Sequence, residues 1–167
     1  MIKNHRLVEA TWTATPNKGG PLVDPRYIVV HYTAGRSAAS AARWLCNPLA
    51  RASAHLIIGR DVALYQLAPF NTVTWHAGQS EWNGLKGLNN FSIGIELDNP
   101  GIVARVNGRW RSLTLGQDYA DADVVELPHK NGGPVRGWVL YSPAQISALE
   151  DISRELIAAY PSLVDVV

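Results

Sequence analysis

Along "FSIGIELDN" (91–99) apolar and small or polar positions alternate: Ile93, Ile95 and Leu97 fall on one face, Ser92, Gly94 and Glu96 on the other. A period of two predicts a strand over 91–97 with one buried face. "YIVVHY" (27–32) is β-branched and apolar on both faces, which predicts a strand near the middle of a sheet. "HLIIGRDVALYQL" (55–67) reads as two strands around a Gly-Arg-Asp turn, a hairpin. Helical spacing appears twice. An Ala-rich segment from about Ala38 to Cys46 follows Ser37 or Thr33 as cap. From Ser142 (cap) and Pro143 (first turn), Ile146, Leu149, Ile152, Leu156 and Tyr160 form one stripe that ends before Pro161.

Between these elements, 13–26 is turn-rich and reads as an irregular arm, and 79–90 as a Gly/Asn loop. Residues 101–137 form a mixed insertion with a possible hairpin at "ARVNGRWRSL". A connection of that length in a compact domain is often functional or mobile. The order of elements predicts an α/β fold: one domain over 1–167, with a mixed twisted β-sheet flanked by α-helices.

Composition narrows the function classes. The chain is 47% hydrophobic and 17% charged, and its 15 basic against 14 acidic residues leave a net charge of +1. No field of one sign favours nucleic acid or an anionic membrane, so neither is an expected partner. A single cysteine, Cys46, excludes an intramolecular disulfide and a multi-cysteine metal site. No stretch approaches the ~20 apolar residues of a membrane span. The start, "MIKNHRLVEATW", shows no apolar run of a signal peptide. As written the chain is expected in the cytoplasm; a phage-type lysin that leaves by another route reads the same.

The chemistry concentrates in a few positions. Glu96 is a carboxylate on an otherwise small-residue strand face, and burying it unpaired is costly. It has either a local structural partner or a reaction beside it. His31 stands at the end of its own strand, in the place that Glu96 holds on another, where open α/β sheets put their sites. Alone, His31 reads equally as a hydrogen-bonded core histidine. His76, in "WHAG", and Trp75 before it form either a turn with an aromatic anchor or a cleft wall. His55 is read as structural, and His129, in "PHKNGGP", as a solvated loop residue. No phosphate loop or nucleophile elbow is present. Histidines with a poised Glu and no nucleophile favour metal-assisted hydrolysis, in which zinc lowers the pKa of bound water to about 7.

"VVHYTAG" (29–35), "SAHLIIGRDVALYQLAP" (53–69), "TWHAG" (74–78), "LNNFSIGIELDNPG" (88–101) and "YSPAQISAL" (141–149) resemble, in order and spacing, the zinc-dependent N-acetylmuramoyl-L-alanine amidases. That AmpD- and AmiD-like family is related to phage lysozyme-type amidases and peptidoglycan recognition proteins. The resemblance implies the same α/β architecture, a peptidoglycan or muropeptide substrate, Zn2+ as cofactor, and cleavage between N-acetylmuramic acid and L-alanine. By position it implies His31 as a metal ligand, Glu96 as the catalytic carboxylate that orients the zinc-bound water and takes its proton, and Trp75 and His76 beside the substrate. On this reading Ser92 and Gly94 are small to leave room for water and the scissile carbonyl. The family's other ligands follow the last helix, in a segment resembling Gly-His-x-x-Ile-x-Pro-x-Arg-Lys-x-Asp-Pro-Gly, where this sequence has "AAYPSLVDVV". That departure implies a piece of a longer amidase. A natural short relative that binds without cutting is the alternative, and His129 with Lys130 completing an unusual site is another.

Overall fold

A computed structural model describes all residues, 1–167. Six strands form the main sheet, in the order Asp165–Val166, Tyr27–Tyr32, Ser92–Leu97, Leu56–Ile58, Leu64–Gln66, Thr11–Trp12. The three strands at its centre run parallel; Leu64–Gln66 turns back antiparallel to Leu56–Ile58, as the hairpin reading expects. Sheet and helices make the expected mixed α/β architecture.

The alternation in 92–97 divides the two layers. Ile93, Ile95 and Leu97 are buried in one core with Ile28, Leu56, Ile58 and Phe70. The long helix, Pro143–Ala159, covers this face with Ile152 and Leu156, and Ile146, Leu149 and Tyr160 pack at its margin. Its Ser142 cap accepts a hydrogen bond from Gln145 N at 3.1 Å. Burial of a side chain such as Leu156 stabilises by roughly 1.5–3 kcal/mol. The first helix, Ala38–Leu45, packs Ala38 and Ala42 against Ile57 and Leu67. Ile57 pairs with Glu96 across the sheet, so this helix lies on the Glu96 face. A capping box between Ser37 and Ser40 starts it, which settles the cap in favour of Ser37.

Two segments are more ordered than their sequence suggests. In the 13–26 arm, Lys18–Pro21 pairs with Thr72–Thr74, and Asn17 Nδ2 donates to the carbonyls of Leu45, Asn47 and Ala52. In the insertion, five strands build a separate antiparallel sheet: Asp118–Tyr119, Arg109–Arg111, Ile102–Val106, Val135–Val139, Val124–Pro128. Its small core is Val103, Trp110 and Val139. Gly137 is required there, because a Cβ would lie 2.6 Å from the Trp110 ring. Arg36 Nη2 donates to Leu115 O and Arg60 Nη1 to Leu140 O, fixing this sheet to the loops beside the main one. No helix is long and apolar enough to cross a membrane.

Candidate active site

His31 and Glu96 are direct neighbours in the register of the two central parallel strands. Partners in a parallel pair point to the same face, so both side chains rise from the sheet on the side opposite the Ile93–Ile95–Leu97 core. Glu96 Oε2 is buried without a hydrogen-bond partner. Burial pushes the carboxyl up to about 7. No cation or donor holds it in the charged form, so of the two roles open to Glu96 the structural ion pair is absent.

His76 lies on the same face. A Cβ at Gly94 would sit 2.7 Å from two of its ring atoms, so the imidazole occupies the space above this glycine. This corrects the reason for the small residues: Ser92 and Gly94 are small because His76 packs on them, and the space above them is filled by protein. His76 Nδ1 is 3.0 Å from His31 Nε2, and its Nε2 is 3.2 Å from Ser92 Oγ. The turn that delivers it is fixed by Asn89, whose Oδ1 accepts from His76 N (3.0 Å) and Ala77 N (2.7 Å). Desolvation, and then the neighbouring His55 and His31, bring the His76 pKa down to about 3. Burial also lowers that of His31.

His55 is fully buried and structural, as read. Its Nδ1 accepts from Gly94 N at 3.0 Å, which leaves the proton on Nε2, 2.7 Å from Thr72 O. It joins the hairpin, the central strand and Thr72–Thr74. Trp75 is 39% exposed, its backbone N donating to Ser53 Oγ at 2.9 Å. His129 lies in the turn between the last two insertion strands, its ring against Trp138 and its Nδ1 accepting from Asn131 N. It makes no hydrogen bond to His31, Glu96 or His76. Tyr141, just before the long helix, carries no local signal that separates it from the rest of its motif; its hydroxyl is close enough to Tyr32 and Glu96 for their charges to raise its pKa after burial has done so. Asn89 and Ser92 hold His76 in place through contacts distant in sequence, and of the two only Ser92 shares the Glu96 face by period alone. The apolar pocket of 450 Å³ in the insertion is lined by Trp110, Leu113 and Val135 and contains none of these residues. Burial and in-register charge, more than cavity size, mark the site.

The profile of the N-acetylmuramoyl-L-alanine amidase family matches residues 21–166. The chain belongs to that family. Among relatives of this amidase-family chain, N-acetylmuramoyl-L-alanine amidase XlyA of Bacillus subtilis is 36% identical over 122 residues, covering 68% of this chain and 39% of XlyA. The 1,6-anhydro-N-acetylmuramyl-L-alanine amidase AmpD of Salmonella typhimurium is 31% identical over 115 residues, 69% of this chain and 42% of AmpD. The chain thus spans about two fifths of the length of the curated relatives it matches. A crystal structure of an AmpD selenomethionine derivative shares the fold, with TM-score 0.66 and 24% identity over 99% of this chain and 84% of that one. Escherichia coli AmiD, solved with anhydro-N-acetylmuramic acid-L-Ala-D-gamma-Glu-L-Lys, aligns at TM-score 0.57 and 26% identity, over 96% of this chain and 51% of AmiD.

A catalytic zinc ordinarily keeps three protein ligands and one open position. Residues 1–167 bring together no group of three His, Cys, Asp or Glu side chains suited to a metal ion. His31 is a single nitrogen donor here, and these residues do not by themselves constitute such a site.

Proposed function

We propose that this chain carries the general base of a peptidoglycan hydrolase that cuts the amide between N-acetylmuramic acid and L-alanine of the stem peptide. The observation that supports this most is Glu96: a buried carboxyl with an unpartnered oxygen, in register with His31, and with a pKa near 7. A general base works best when its pKa lies near the working pH. Glu96 takes a proton from water as the water oxygen bonds to the lactyl carbonyl carbon. The C–N bond then breaks, and the proton passes from Glu96 to the leaving nitrogen of L-alanine. The products are a free muramoyl carboxylate and a peptide amine. Exposed Trp75 offers an aromatic face to the sugar or peptide beside this centre.

Zinc dependence is the finer part of the proposal. A zinc ion would take His31 as one ligand and would need two donors more than these residues assemble. The second reading is a muropeptide-binding module without turnover. The discriminating experiment incubates the protein and its Glu96→Gln variant with anhydro-muropeptides and with intact murein, with added Zn2+ and with chelator, and follows free stem peptide by mass spectrometry. Release by wild type and its loss in Glu96→Gln support the hydrolase. Binding that survives chelation, with no release under any condition, overturns it in favour of the binding module.

A further inference from the structure

We infer that His76 is a positioning residue, which through a one-way hydrogen-bond chain ending at Leu88 O fixes the tautomer of His31 and presents His31 Nδ1 as a bare lone pair to the site. The direction is set at the far end. Leu88 O can only accept, and Ser92 Oγ lies 2.6 Å from it, so the single hydroxyl proton of Ser92 points there. Toward His76, Ser92 Oγ is therefore an acceptor, and the proton of that 3.2 Å contact sits on His76 Nε2. A neutral imidazole has one N–H, so His76 Nδ1 is bare. The 3.0 Å contact to His31 then needs its proton on His31 Nε2. By the same count, His31 Nδ1 is left with its lone pair. It has no protein partner and is not among the buried partnerless atoms, so it is open to solvent.

Each link is held by something else in the fold. Gly94 admits the His76 ring, Asn89 Oδ1 fixes the backbone at His76 and Ala77, and Leu88 O is held by Phe91 N at 2.9 Å as well as by Ser92. His55 has its own partners and its own tautomer and takes no part in the chain. For a residue that must offer one particular nitrogen beside Glu96, this removes the competing tautomer. A ring that ligates or accepts is commonly oriented by a hydrogen bond from its other nitrogen. The consequence for catalysis rests on the hydrolase reading; the tautomer does not.

The test is long-range 15N–1H correlation NMR on the metal-free chain at pH 8, with wild type, Ser92→Ala, His76→Asn and His76→Ala, the last two compared at His31. Wild type is expected to show both His31 and His76 protonated on Nε2. Ser92→Ala removes the acceptor for His76 Nε2–H and should lower the His31 Nε2–H to Nδ1–H ratio about tenfold, the worth of one hydrogen bond, although Ser92 does not bond His31. His76→Asn keeps an acceptor facing His31 and should hold its tautomer, whereas His76→Ala releases it. His31 carrying its proton on Nδ1 in wild type overturns the inference whether or not any variant folds. An unchanged His31 ratio in folded Ser92→Ala overturns it too. Stem-peptide release, measured separately on the wild type with added Zn2+, distinguishes the two ideas: no hydrolysis there, with the tautomers as assigned, counts against the amidase reading alone.

Discussion

Glu96 and His31 are adjacent in the register of two parallel strands, and the sheet face they share is covered by a third side chain, His76, resting on Gly94. An acid with no cation to hold it is thereby kept in a desolvated position. Such an arrangement lowers stability, and stability measurements can detect that.

Glu96→Gln is expected to stabilise the metal-free fold at alkaline pH. The folded pKa, about 7, lies above the ordinary 4.5, so the native state holds this proton more tightly than the unfolded chain. Stability is then lost as pH rises from about 4.5 through 7, and the loss is complete above that. Glutamine removes it, a gain on the order of 2–3 kcal/mol at pH 8 that fades near pH 4. Chemical denaturation at the two pH values checks this; an equal effect at both would contradict the buried-acid assignment.

His55 and His76 make the fold acid-labile in the opposite sense. Their folded pKa values, about 4 and about 3, lie below the ordinary 6.5, so the unfolded state binds protons that the native state refuses. Stability falls as pH drops from about 6.5 toward 4, by about 3 kcal/mol for His55 alone. Because Glu96 changes in the contrary direction over part of this range, the profile is best read in the Glu96→Gln background. A melting temperature that stays flat from pH 7 to 4 there would refute it.

Gly94→Ala should destabilise without any polar group being lost. The added methyl meets the His76 ring, held by Ser92 and Asn89, and overpacking of this kind costs typically 1–3 kcal/mol. The midpoint of urea unfolding should fall at unchanged slope, and the His76 ring resonances should shift. A neutral substitution would mean that His76 moves freely.

Trp110→Ala is expected to loosen the insertion and spare the main sheet. Trp110 packs with Val103 and Val139 in that small core, against Gly137, with Tyr119 and Val124 at its margin. Truncating a buried tryptophan costs roughly 3–5 kcal/mol, more than so small a core withstands. Amide exchange should accelerate over 102–139 while 27–32 and 92–97 stay protected. Acceleration throughout would show that insertion and main sheet unfold as one unit.

Short-range chemistry carries one part of this fold, and that part is legible from the chain alone. The alternation in 91–97 gave the strand and its two faces, the β-branched run at 27–32 gave its neighbour, and the Ser142–Pro143 start with its apolar stripe gave the long helix. Ordered motifs were enough to place the chain in its family. Tertiary structure decided what lies across the strands. It set the register that makes Glu96 and His31 neighbours, brought His76 from a turn onto Gly94, and gave order to the arm and the insertion through strand pairing at a distance. The physical reason is that a side chain's face follows from local backbone period. Its partner and its proton follow from which distant donors and acceptors the completed fold sets within 3 Å, as Ser92 and Leu88 O do for His76.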